Sequence, residues 1–260
     1  MSMISTGSAS PPPPAPPAPP APPAPPRRSK KVYASAEEAL ADVWDGATIM
    51  SGGFGLSGNA ENCIRELHRR GVRDLTIISN NCGNQGKGLA VLLKQRQIRR
   101  VVCSFVGGNP DLEEQMLAGE VEVELNPQGT LAERIRAGGV GLGGFLTPTG
   151  VGTEVAAGKE VRELDGRRYL LELPLRADFA ILRAEVGDHF GNLRFKGTAR
   201  NFSPHMAMAA RVAVVEVDHL VPIGALAPED IHLPGVFVQR IFEGRGYEDP
   251  IEFRTTRPRP

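Results

Sequence analysis

The sequence predicts an α/β fold: an open, mainly parallel sheet with helices on both faces, plus a small antiparallel β region. Three observations predict it. From about Lys31 to Leu125, short β-rich runs alternate with helical spans in a β-α-β-α order. Those runs are apolar along their length rather than alternating, as in strands covered on both faces. The first of them, Ala47-Thr48-Ile49-Met50, passes through a glycine-rich turn into a helical pattern that starts near Asn59.

The elements follow in order. Residues 1–30 form a separate segment, almost entirely proline and alanine from Ser8 to Pro26, for which a disordered tail is expected. It has neither the apolar middle of a signal peptide nor the Arg-rich amphipathic character of a mitochondrial presequence. The basic group Arg27, Arg28, Lys30 and Lys31 reads as a solvated junction or, as the alternative, a docking patch. The folded domain is expected over residues 31–246, with a loose C-terminal tail over 247–260. Ser35 with Glu38 three residues on has capping-box spacing, so a short helix opens there. After the first strand and helix, Leu75–Ser79 reads as a strand, Leu89–Gln97 as a helix and Val101–Phe105 as a strand. A helix through Leu117 and a strand Val121–Leu125 follow. Farther on, Arg168–Leu173 and Phe179–Ala184 read as strands around a Pro174 turn, forming the small antiparallel region. Gly187–Asn192 reads as a hairpin tip. A short helix over His205–Ala210 and a buried strand Val212–Val217 return the chain to the main sheet.

Composition excludes several classes. The chain has 260 residues, 41% of them hydrophobic, enough for a full core. A formal net charge of zero gives no electrostatic case for nucleic acid or a membrane surface. Cys63, Cys82 and Cys103 stand far apart without metal-site pairing, and read as core thiols in a reducing cytoplasm. No apolar stretch approaches the roughly 20 residues of a membrane span. No two histidines have a metal-ligand spacing on one helix, and His68 reads as a cation at a helix C-terminus.

The turn Gly52-Gly53-Phe54-Gly55-Leu56-Ser57-Gly58 is the leading binding candidate. Its glycines permit positive φ and close approach of a ligand, and the following helix is expected to offer free N–H groups to an anion. It contains G-x-G-x-x-G, but a dinucleotide unit wants an acidic residue at the end of the second strand, and Ser79-Asn80-Asn81 stands there. Gly86-Lys87-Gly88 lacks the earlier glycine and the following Ser or Thr of a phosphate loop. Four loops leave the carboxyl ends of the strands: Gly52–Gly58, Asn80–Gly86, Gly107–Pro110 and Asn126–Thr130. All are rich in Gly, Asn or Gln, uncharged donors suited to polarising a carbonyl or holding a thioester oxygen. Glu133 and Arg134 read as an acid with an anion clamp, or as a helix pair or structural bridge beneath the loop, the second being preferred.

These stretches carry a resemblance. Asp45–Gly58, Ser79-Asn80-Asn81, Glu124–Ile135, Pro148–Thr153 and Thr198–Phe202 together resemble the α subunit of a family I CoA-transferase acting on 3-oxoacids, over about Lys31 to Gly244. The resemblance implies a CoA-transferase-like fold, with a coenzyme A thioester as substrate and no permanently bound cofactor. It implies that Gly52–Gly58 lies against coenzyme A, and that Asn80 and Gln128 are the side-chain amides at the reacting thioester. The chain departs from the family pattern at Ser57, Asn59 and Ala60, where cysteine, an aliphatic residue and proline are common. Family chemistry is ping-pong, through a glutamyl-CoA thioester on a glutamate of the β half in a Ser-Glu-Asn-Gly context. The single Glu-Asn pair here, Glu61-Asn62, opens a helix and reads as a complement to its dipole. The implied partner is therefore a β subunit carrying that glutamate, in an α2β2 assembly in the cytoplasm. Succinyl-CoA and acetoacetate or 3-oxoadipate are the implied substrates, and a non-catalytic CoA-binding or regulatory module is the alternative.

Overall fold

A computed structural model describes residues 31–249; the expected tail over 1–30, and residues 250–260, lie outside the described residues. The strands are β1 (Thr48–Ser51), β2 (Leu75–Ile78), β3 (Ile98–Cys103), β4 (Glu122–Leu125), β5 (Phe145–Thr147), β6 (Val161–Leu164), β7 (Arg167–Glu172), β8 (Ala177–Asp188), β9 (Leu193–Arg194), β10 (Ala210–Val221) and β11 (Arg240–Glu243). The helices are α1 (Ala36–Ala39), α2 (Glu61–Arg70), α3 (Ala90–Lys94), α4 (Pro110–Leu117), α5 (Gln128–Val140) and α6 (Ser203–Ala209).

Seven strands form a parallel sheet in the order β11-β10-β8-β1-β2-β3-β4, and β9 pairs antiparallel with β8 as the expected hairpin. A separate antiparallel sheet has the order β5-β7-β6. Side-chain alternation divides the core between the two faces. Ile49, Ile77, Val101 and Ile181 pack with Ile64 and Leu67 of α2 on one face. Met50, Ile78, Val102 and Leu182 pack with Leu131 and Ile135 of α5 and Met206 of α6 on the other.

Half of the expected capping box at α1 is present: Glu38 N–H donates to Ser35 Oγ at 3.3 Å, while Glu38 Oε2 accepts from the N–H of Ala34, one residue before the cap, at 2.8 Å. The antiparallel expectation is half corrected. Arg168–Leu173 does contribute β7 to the small sheet, but Phe179–Ala184 lies in β8, a 12-residue strand parallel to both β1 and β10. Phe179, Ala180, Ile181 and Leu182 are buried in succession, which only a strand covered on both faces achieves. The expected tail boundary also falls inside attached chain: Glu248 and Asp249 donate main-chain N–H bonds to Glu61 at 2.9 and 3.1 Å. Among the described residues, no helix is long and apolar enough to cross a membrane.

The topology opens a crevice at the carboxyl edge of the sheet. β1 and β8 are neighbours, yet the crossover after β1 places α2 on one face while that after β8 places α6 on the other. The strand order thus reverses between them, though the strands stay parallel, and a crevice opens at their carboxyl ends. The glycine loop leaves β1 at that crevice.

Candidate functional site

Gly52 continues the edge of β1, its N–H donating to Ile181 O at 3.0 Å. Phe54 and Ser57 then exchange main-chain bonds of 3.0 and 3.1 Å, so Gly55 and Leu56 form the corner of a two-residue turn. Gly55 takes φ +60 at the first corner position, where such a turn needs a residue without a Cβ. Gly53 takes φ +109, and a Cβ there would overlap Asn59 Oδ1, so only glycine fits over the buried Asn59 side chain. Leu56 is buried, while Phe54 stands half exposed on the rim, as does Phe105 after β3.

The four predicted loops meet. Asn80, 4% exposed at the end of β2, accepts from Gly55 N–H at 2.8 Å. Its amide nitrogen donates to Gln128 Oε1 at 3.2 Å and to Ser104 Oγ at 3.3 Å. Ser104 Oγ lies 2.5 Å from Gln128 Oε1 and 3.1 Å from Asn80 O, one hydroxyl proton serving both acceptors. Asn109 ties the third loop to the second through the Cys82 and Gly83 carbonyls, at 2.7 and 3.2 Å. With its oxygen held from both sides, Gln128 has its NH2 group left without a partner among the described residues. The arrangement can donate to an oxygen placed in the crevice without introducing charge. Gln128 does not sit in a loop, however: it is the first residue of α5, which begins after Pro127 at φ −56. Helix geometry at that position sets its direction better than a loop would.

Ser104 escaped the sequence reading because it appears as the end of an apolar run. Beneath the fourth loop, Arg134 donates to Glu124 at 2.5 Å, Asn126 at 2.7 Å and Leu173 O at 2.8 Å, making it the structural bridge. Glu133 pairs with Arg136 on the helix surface instead. Burial would raise the Glu124 carboxyl, but hydrogen bonds from Arg134, its charge, and bonds from Asn126 and Arg100 hold it below the usual carboxylate range.

The expected free N–H groups at the start of α2 are not free. Glu216, fully buried on β10, accepts from Cys63 N–H at 2.9 Å, Asn62 N–H at 3.2 Å and Asn62 Nδ2 at 3.3 Å. Burial pushes its carboxyl up, opposed by those bonds. An internal anion thus fills the place of a ligand phosphate. Beside it, Arg183 pairs with Asp249 at 2.5 Å and Asp218 at 2.9 Å, with the Tyr247 ring 3.5 Å from its guanidinium carbon. Glu61 is engaged as well, by Arg65 at 3.4 Å and Arg183 at 3.6 Å. A cleft of about 400 Å³ opens between Leu56, Ser57 and Gly58 on one wall and Lys196, Thr198 and Ala199 on the other.

The three thiols are buried, and burial raises each; Cys103 reaches about 11. Thiols so disposed are poor nucleophiles. Among the described residues, no group of three or more His, Cys, Asp or Glu could hold a metal.

Comparison with known proteins gives the family. The family model described as coenzyme A transferase matches residues 33–244. The A subunit of the succinyl-CoA:3-ketoacid coenzyme A transferase of Xanthomonas campestris is 52% identical over 228 residues, covering 87% of this chain and 94% of that one. The human mitochondrial succinyl-CoA:3-ketoacid coenzyme A transferase 2 is 49% identical over 244 residues, covering 87% of this chain and 47% of that one. An acyl-CoA transferase of Escherichia coli O157:H7, solved as a thioester complex with CoA, superposes with a TM-score of 0.76 at 21% identity, covering 85% of this chain and 52% of that one; it supports the fold alone. With a family model spanning nearly the whole described domain and relatives about half identical in sequence, the chain belongs to the coenzyme A transferase family.

Proposed function

We propose that this chain is the α subunit of a two-subunit succinyl-CoA:3-oxoacid CoA-transferase, working in the cytoplasm as two α and two β chains. One observation carries the reading. The crevice presents an unengaged amide donor at Gln128 and a tight glycine loop, while the one Glu-Asn pair, Glu61-Asn62, is bound into the structure. The Xanthomonas relative, named as one subunit of its enzyme, is matched along 94% of its length, and the human relative contains this region as about half of a longer chain. A partner half that supplies the reacting carboxylate fits both facts.

In the reaction, the partner's glutamate carboxylate attacks the thioester carbonyl of succinyl-CoA, and the CoA thiolate leaves to give a mixed anhydride. The thiolate then attacks the glutamyl carbonyl, releasing succinate and leaving glutamyl-CoA. A 3-oxoacid carboxylate repeats the two steps in reverse. Each attack builds negative charge on a carbonyl oxygen, and Gln128 Nε2 is the donor for it, held by Asn80 and Ser104. The loop Gly52–Gly58 lies along the pantetheine arm with main-chain groups and the Phe54 ring. The names of the relatives give a 3-ketoacid as acceptor, a class that includes both acetoacetate and 3-oxoadipate.

Co-expression with a partner chain containing Ser-Glu-Asn-Gly tests this. The pair is expected to turn over succinyl-CoA with acetoacetate and to yield, after borohydride, a reduced glutamate on the partner. Faster turnover with 3-oxoadipate would change the acceptor. Neither turnover nor adduct, with CoA still bound, would leave a non-catalytic CoA-binding module.

A further inference from the structure

We propose that Glu216 is a positioning residue for the glycine loop, acting as the anion that locks the start of α2. The inference rests on the transferase reading for its kinetic consequence, though not for its geometry. Glu216 lies on β10, 0% exposed, and among the described residues no Lys or Arg pairs with it. A carboxylate taken out of water without a cation needs compensation, and the partial positive charge of a helix start together with three N–H bonds supplies it. Those bonds come from Asn62 and Cys63, residues 154 and 153 positions away in sequence. They fix the rotation and height of the first turn of α2 against the sheet.

That first turn carries the loop. Asn59 precedes it across the N-cap Ala60, 5% exposed, with Oδ1 against the Gly53 backbone and Nδ2 within 3.5 Å of Gly55 O. Asn59 Nδ2 also lies under Gly88, so the side chain fills the space between two loops. On its other side Gly55 donates to Asn80, and Asn80 to Gln128. A continuous path therefore runs from Glu216 through the helix start and Asn59 to the loop corner and on to the Gln128 amide. Every step is a hydrogen bond, a close packing contact or one turn of backbone. Exchanging the carboxylate for an amide would turn an NH2 group toward Asn62 or Cys63, setting donor against donor. The helix start would then shift, and Gly53 to Gly55 with it.

The experiment uses the full chain, alone and with its β partner, as Glu216→Gln, with Asp188→Asn as control. Asp188 is a comparably buried carboxylate accepting three N–H bonds of 2.8 to 3.0 Å from Phe190 and Asn192, in the hairpin after β8. Both variants should lower the unfolding midpoint. Only Glu216→Gln should speed amide hydrogen exchange across residues 53–63, by about tenfold, the effect of losing one charge-assisted bond. In the paired enzyme it should raise KM for acyl-CoA by a similar factor, about tenfold, with kcat changed much less. If loop exchange and KM in Glu216→Gln match those in Asp188→Asn, Glu216 is a structural carboxylate and the proposal falls. Should Glu216→Gln not fold, Glu216→Asp, which keeps the charge but draws it back from α2, carries the same comparison. A wild-type pair without transferase activity would overturn the proposed function, and the exchange measurement would still decide the positioning role.

Discussion

Two flanks of one loop differ in how their polar groups are used. On the side of β2, β3 and α5 the glycine loop meets Asn80, Ser104 and Gln128, neutral groups whose bonds end in an amide NH2 without a partner among the described residues. On the side of β8 and β10 stand Glu216, Arg183, Glu61, Asp218 and Asp249, charged groups that all find partners inside the chain. The charged flank has the stronger individual interactions, and it lines the cleft beside Leu56–Gly58 with groups that already pair with one another. The neutral flank holds less and leaves a donor open. Charge density and open donors therefore lie on different sides of the loop: the ion cluster is saturated within the chain, while the Gln128 amide is oriented and unengaged.

The comparison breaks most readily at Arg183. Arg183→Met leaves Glu61, Asp218 and Asp249 close together without their shared cation. A loss of about 3 kcal/mol is expected, at the low end for breaking a buried pair because Asp249 is half exposed. Urea denaturation reads it; a loss below about 1 kcal/mol would mean that this flank is held by something other than its charges. Gln128→Ala tests the opposite flank. Turnover of the reconstituted enzyme should fall by about 10²-fold or more, with stability little changed. Unchanged turnover with folding intact would remove Gln128 from the chemistry.

Between the flanks, Gly53→Ala sharpens the comparison. The added methyl meets Asn59 Oδ1, and alanine at φ +109 is strained, so a cost of about 1–3 kcal/mol and a raised KM for acyl-CoA are expected. Asn59→Ala in the same chain should recover the steric part and leave the φ part. A double-mutant cycle with no coupling between the two positions would show that Asn59 does not support the loop.

These residues also mark how far the sequence could be read. Asn80 was legible because an amide stands where a dinucleotide site wants an acid, and the loop motif because glycines at that spacing have few other uses. Gln128 was legible as a group but not as the first residue of a helix, since Gln-Gly-Thr after proline carries no side-chain cap to announce one. Glu216 was not legible at all. It sits in Val214-Val215-Glu216-Val217, which reads as a buried strand, and its partners lie at the far end of the chain. Likewise, Phe179–Ala184 showed a two-sided apolar run, but the nearby Pro174 turn drew it toward the small sheet. Long-range pairing decided both cases, and periodicity cannot supply it.

The smallest expected effect lies beneath the neutral flank, at Glu124. Its carboxylate bridges Arg134 at 2.5 Å and Arg100 at 2.6 Å, supporting the turn that leads into α5 and hence the direction of Gln128. Because folding lowers its pKa, the stability it contributes is complete above the unfolded value of about 4.3 and is lost as pH falls through the lower folded value. Glu124→Gln should therefore cost at most about 1 kcal/mol near neutral pH, since Arg100 is partly exposed and water screens that half of the bridge. The gap between the two proteins should close on acidification below about pH 4, where the wild-type carboxylate takes up its proton. Unfolding free energies at a series of pH values measure this directly. A gap that stays constant down to about pH 3 would mean that the side chain acts through shape rather than charge. The support under Gln128 would then be neutral like the crevice above it.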